Sequence, residues 1–198
     1  MTARRIRVRI TASRRREGRA VPGTEGTTAA EMAERYGLRP LATEGGLFRR
    51  TWAGPPDATG RPAGSAIMVL LTTDAGGFSA LHRLPLDEVW HFYRGDPAEL
   101  VLLGPGGAGR TVLLGGSGSS GGEVQTVVPA GTWMGARVIP GGSWSLCGTT
   151  MAPGFLPSDY EGGDVNVLTR QYPEYAERIR ELCRPGAPLR MPDGSGDE

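Results

Sequence analysis

Between residues 41 and about 160 the chain is built from apolar runs of four to eight residues, each bounded by Gly, Pro, Asp or Ser. The runs are GLFRRTW, SAIMVLLT, EVWHFYR, AELVLLG, GRTVLLG, EVQTVVP, GARVIP and SWSLCGTT. Segments of this length, rich in Val, Leu and aromatics and closed by turn residues, are strands. About eight to ten of them at regular spacing predict an all-β closed double-sheet barrel or sandwich. The 32 glycines and 16 prolines, against 38% hydrophobic residues, argue against a helical bundle. With 198 residues the chain suits one domain plus tails.

The ends read differently. Residues 1–24 carry eight arginines and little that packs, which predicts a disordered Arg-rich tail. Thr28-Ala-Ala-Glu31 matches a capping box, and apolar positions 29, 32, 33 and 36 predict a short N-terminal helix ending at Gly37. A second helix is expected from Pro173 to Cys183, stopped by RPG, with 184–198 as a disordered polar tail. The domain is therefore placed at 25–183. GGSGSSGGE at 115–123 reads as a flexible loop and GPGGAGR at 104–110 as a hairpin turn. Neither is a phosphate cradle, since no GK[ST] and no helix follow.

Composition narrows function by exclusion. A net charge of +1 supplies no field to recruit nucleic acid. All 22 basic residues are arginine, a bias of a GC-rich genome rather than of chemistry. Two cysteines make no disulfide framework, and neither is marked as a nucleophile. The run AIMVLL is too short to span a bilayer, and no apolar segment follows the basic N-terminus as a secretory signal requires. A cytoplasmic protein without membrane partners is expected.

Both histidines fall within LHRLPLDEVWHFYRG, residues 81–95. Side chains alternate along a strand, so with Glu88 inside, Trp90 and Phe92 share its face while Val89, His91 and Tyr93 point out. A regular strand cannot offer Glu88 and His91 to one ion. His91 is expected at an intersheet or dimer contact.

The ordered motifs Glu44-Gly45-Gly46-x-Phe48, His82-Arg83…Asp87-Glu88-Val89-Trp90-His91-Phe92-Tyr93-x-Gly95, Gln125-x-VVPAG-x-Trp133 and Ala152-Pro153-Gly154-Phe155 resemble those of a branch of small single-domain cupins. The resemblance covers about residues 38 to 161. It implies a double-stranded β-helix, the cupin or jelly-roll barrel of two antiparallel sheets, with short N- and C-terminal helices, an internal pocket and pairing into a homodimer. Relatives of that barrel include metal oxygenases, metal isomerases, metal-free epimerases and storage proteins, so fold alone leaves activity open.

Two departures bear on chemistry. A metal-binding cupin places a second histidine two residues after the first, where this chain has Leu84. It places another three residues after the P-x-G glycine, where this chain has Met134. With two histidines in all, no three-imidazole site is possible within one subunit, and no metal or other cofactor is expected. The pocket is then an apolar cavity with a few converging polar groups, the usual make-up of a small-molecule site. His82 and Glu88 are the expected catalytic pair, an imidazole beside a carboxyl raised by burial. Trp90, Phe92, Gln125, Trp133, Met134, Trp144, Phe155 and Thr51 are the expected substrate-binding residues. Asp159, Tyr160 and Glu161 are expected in a solvated loop. The function expected is metal-independent isomerisation, epimerisation, cyclisation or lyase chemistry on a partly apolar carbonyl metabolite in bacterial specialised metabolism. The alternatives are a non-catalytic small-molecule-binding cupin and a metal-dependent oxygenase.

Overall fold

The computed structural model describes residues 26–116 and 122–192; the expected Arg-rich tail at 1–24 and the end of the chain from 193 lie outside the described residues. Two antiparallel sheets form. The first runs β1 (Arg39–Pro40), β2 (Leu47–Ala53), β3 (Ser65–Thr72), β10 (Trp144–Met151), β5 (Glu88–Gly95) and β8 (Gln125–Val128). The second runs β11 (Glu161–Gly162), β4 (Ser79–Arg83), β9 (Trp133–Val138), β6 (Ala98–Leu103) and β7 (Gly109–Leu114). Helix α1 (Ala29–Tyr36) precedes them, and α2 (Val165–Gln171) and α3 (Ala176–Leu182) follow. The expected all-β, two-sheet barrel with terminal helices is what the chain adopts. Among the described residues no helix is long and apolar enough to cross a membrane.

Three apolar clusters show why so many strands read as continuous rather than alternating runs. Between the sheets lie Val69, Leu71, Trp90, Leu100, Leu102, Leu114 and Met134. Outside the second sheet, Val101, Leu103 and Trp133 pack against Leu168, Ile179 and Leu182 of α2 and α3. Outside the first, Leu70, Trp144 and Leu146 pack against Met32 of α1. Helices cover much of the second sheet's outer face and part of the first's, so in those places odd and even positions are apolar alike. Capping agrees with the sequence: the Thr28 side chain accepts from the Glu31 amide at 3.2 Å while the Glu31 carboxylate accepts from the Thr28 amide at 2.7 Å.

Several elements differ from expectation: α2 precedes the one C-terminal helix expected, and β1, β4 and β11 are additional strands. Strand β4 was not foreseen: its first four residues are all buried, and Ser, His and Arg interrupt its apolar signal. Residues 184–192, expected as part of a free tail, return to the barrel. Arg184 Nη1 donates to the Ala42 carbonyl at 2.6 Å, and the Gly162 amide donates to the Leu189 carbonyl at 2.9 Å. The expected 104–110 turn does join two strands, β6 and β7.

Candidate functional site

One end of the barrel encloses a cavity of about 60 Å³. Phe48, Ile67, Val69, Leu84, Met151 and Phe155 supply most of its walls, and Glu44, His82, Glu88 and Thr149 face into it. Arg50, Ser65, Leu41 and Met191 complete the lining. The polar groups are few and converge, as in small-molecule sites generally.

His82 sits on β4, 2% exposed. Its Nδ1 lies 2.7 Å from the Ala80 carbonyl oxygen. A carbonyl only accepts, so Nδ1 is the donor of this bond. The ring's Nε2 is 3.7 Å from Glu44 Oε1. The ring plane is held from the side by Tyr160, stacked at 5.3 Å between centroids and 19° between planes. Glu44 is fixed in turn by Ser79, whose hydroxyl donates to Oε1 at 2.7 Å. The glycine after it is obligatory: Gly45 has φ +101°, and a Cβ there would stand 2.3 Å from the Phe78 carbonyl oxygen.

Glu88 opens β5 with 6% exposure. Burial pushes its carboxyl up to about 7; the Glu44 charge adds to this, while His82 and hydrogen bonds from Thr149 and Trp90 oppose it. Trp90, two residues on and on the same strand face, donates from Nε1 to Glu88 Oε2 at 2.9 Å. Near neutral pH this carboxyl stands close to its midpoint and can give or take a proton, beside an imidazole whose Nε2 is open.

The expected site residues divide. His82, Glu88 and Phe155 line the cavity; Trp90, Phe92 and Met134 belong to the barrel interior, Trp90 acting through Glu88. The other four lie elsewhere. Gln125 pairs with His91 across β5 and β8 on the outer face, and its amide donates to His91 Nδ1 at 3.0 Å. Trp133 faces α2 and α3, with the Arg83 guanidinium 4.7 Å over its ring. Trp144 packs under α1 and donates from Nε1 to the Thr27 carbonyl. Thr51, at a bulge in β2, donates to the Ala66 carbonyl on the outer surface.

His91 also projects outward. It donates from Nε2 to Thr150 Oγ1 at 2.7 Å, so both ring nitrogens are engaged there. The 159–161 segment is no solvated loop. Asp159 makes a two-pronged ion pair with Arg61 at 2.6 and 2.8 Å, Tyr160 is buried against His82, and Glu161 pairs with Arg83.

Most of the cavity lining was not among the expected site residues, Glu44, Thr149 and Met191 included, and neither was Tyr160, which stacks on His82. Glu44 stood inside a recognised motif, which was the available signal. Tyr160 reaches the His82 ring, and Met191 the cavity, only through the folded chain.

The donor set does not fit a resident metal ion. His82 is the one imidazole in the cavity, since His91 faces the opposite side of β5. Among the described residues no group of three or more His, Cys, Asp and Glu side chains could hold an ion. Met134, paired in register with His82, offers a thioether where a nitrogen donor would be needed.

Comparison with known proteins agrees with this architecture. A crystal structure of a Shewanella oneidensis protein superposes with a TM-score of 0.73 at 29% identity, covering 80% of this chain and 99% of that one. A hypothetical protein from Leishmania major gives 0.70 at 28% identity, over 79% of this chain and 99% of its own. No curated protein matches the chain. The family model described as Cupin superfamily (DUF985) matches residues 30–162, a span that holds Glu44, His82, Glu88 and all four motifs. On that match and this barrel, the chain belongs to the DUF985 family of the cupin superfamily.

Proposed function

We propose that the cavity is a small-molecule site in which His82 and Glu88 exchange protons with a neutral, partly apolar carbonyl compound without a metal ion. The reaction class is isomerisation, epimerisation, cyclisation or β-elimination. One observation carries the reading: the Ala80 carbonyl accepts from His82 Nδ1, which leaves Nε2 on the Glu44 side of a cavity that also holds the buried Glu88 carboxyl, raised to about 7. An imidazole and a carboxyl raised by burial in one apolar enclosure are the minimum for moving a proton between carbon and oxygen. Where ionised, the Glu44 and Glu88 carboxyl groups disfavour an anionic ligand beside them, an effect that the Arg50 guanidinium in the same lining offsets in part.

The test uses a panel of neutral aliphatic and cyclic ketones in D2O, with α-proton exchange followed by proton NMR and binding by ligand-observed NMR. The native protein is expected to exchange α-protons of a bound ketone above the buffer rate. His82→Ala and Glu88→Gln should bring exchange back to that rate while binding persists. Binding without exchange in the native protein would favour a container, the second reading, for which the predominance of apolar walls speaks.

A further inference from the structure

We propose that residues 184–192 form a strap that closes the mouth of the His82–Glu88 cavity, with Met191 as the side chain that seals it and limits what can enter. The proposal rests on reading the cavity as a ligand site, but its test reads access alone. Met191 lines the same cavity as His82 and Glu88, although 29 residues separate it from the last residue of the family match at 162. No strand or helix holds it there: the segment is irregular over residues 184–192.

The strap is pinned by bonds to backbone rather than by a core. Arg184 Nη1 donates to the Ala42 carbonyl, two residues before Glu44. The Leu189 carbonyl accepts from the Gly162 amide at 2.9 Å, and Arg190 Nη1 donates to the Tyr160 carbonyl at 3.3 Å. Those anchors are the residue that stacks on His82 and its neighbours in β11. Gly162 leaves the space the strap crosses, since a Cβ there would lie 3.2 Å from Leu189 Cα. Leu189 itself is 46% exposed. Segments held by a few hydrogen bonds with little buried apolar surface open locally at low free energy, independently of global unfolding. The strap can therefore lift while the barrel stays folded, uncovering the cavity and re-covering a bound molecule.

The two histidines make access measurable. Diethyl pyrocarbonate, a small neutral reagent, is attacked at a carbonyl carbon by an unprotonated imidazole nitrogen; the ethoxycarbonyl group passes to that nitrogen and ethyl carbonate leaves. His82 offers Nε2 only through the cavity, whereas His91 on the outer face serves as the internal reference. Rates at each histidine are followed by mass spectrometry on the full-length protein at one fixed pH. Met191→Ala and Arg190→Ala should each speed modification of His82 by about fivefold to tenfold, as loss of one weak closing contact predicts, with the His91 rate unchanged. Met191→Trp should slow it.

A His82 rate equal in native and all three variants, or a change shared by His91, overturns the strap. Failure of ketone exchange with the expected His82 rates would sink the proposed chemistry and leave the strap standing.

Discussion

Glu88 is a carboxyl whose charge the fold resists. Its carboxyl is raised from 4.5 to about 7 chiefly by burial. The folded protein therefore binds a proton more tightly than the unfolded chain does. The favourable contribution of the protonated form is complete below the unfolded value and is lost as pH rises through the folded one. Above pH 7 the ionised, enclosed carboxylate costs about 3 kcal/mol relative to the acid form. Glu88→Gln keeps an acceptor for the Trp90 indole N–H and cannot ionise. It should therefore gain stability over the native protein at pH 8 and gain much less at pH 5. Urea unfolding at the two pH values checks this, and equal differences at both would contradict the burial argument.

Strand β5 shows how one element serves two surfaces. Glu88 and Trp90 point into the barrel while His91 and Tyr93 lie outside, their rings parallel within 4°. The strand ends at Gly95, φ +100°, where a Cβ would stand 2.5 Å from the Trp144 carbonyl oxygen of β10. Gly95→Ala must both strain the backbone and push β5 from β10, so it should destabilise by about 2–4 kcal/mol, read as a lowered urea midpoint with unchanged slope. This glycine was legible in its spacing from Glu88. Strand β4 was not, because a short strand, buried except at Arg83, that carries His and Arg shows neither alternation nor an apolar run.

At the scale of the whole molecule, closure of the two sheets sets the donor set of the cavity. Leu84 lines it beside His82, and Met134 neighbours His82 across β4 and β9. The double variant Leu84→His/Met134→His adds two imidazoles to His82 and the enclosed carboxyls. It should retain about one Zn2+ per chain after dialysis, whereas native protein treated alike should retain almost none by elemental analysis. Retention by the native protein at the same level would contradict the donor argument.

What the sequence by itself determined is local in origin. Turn residues fix where strands stop, the two-residue period fixes that Glu88 and Trp90 share a face, and a capping box starts α1, because each depends on neighbours a few positions away. Only the tertiary structure decided which aromatic faces the cavity. Trp133 and Trp144 sit on strands with helices packed outside, so both faces are apolar and hydrophobicity cannot tell inside from outside. The same holds for Gln125, turned outward by its register with His91, and for Glu44, Tyr160 and Met191, joined to His82 across gaps that only chain closure spans. Alternation is a property of one strand, whereas an interior exists only once two sheets and their flanking segments have met.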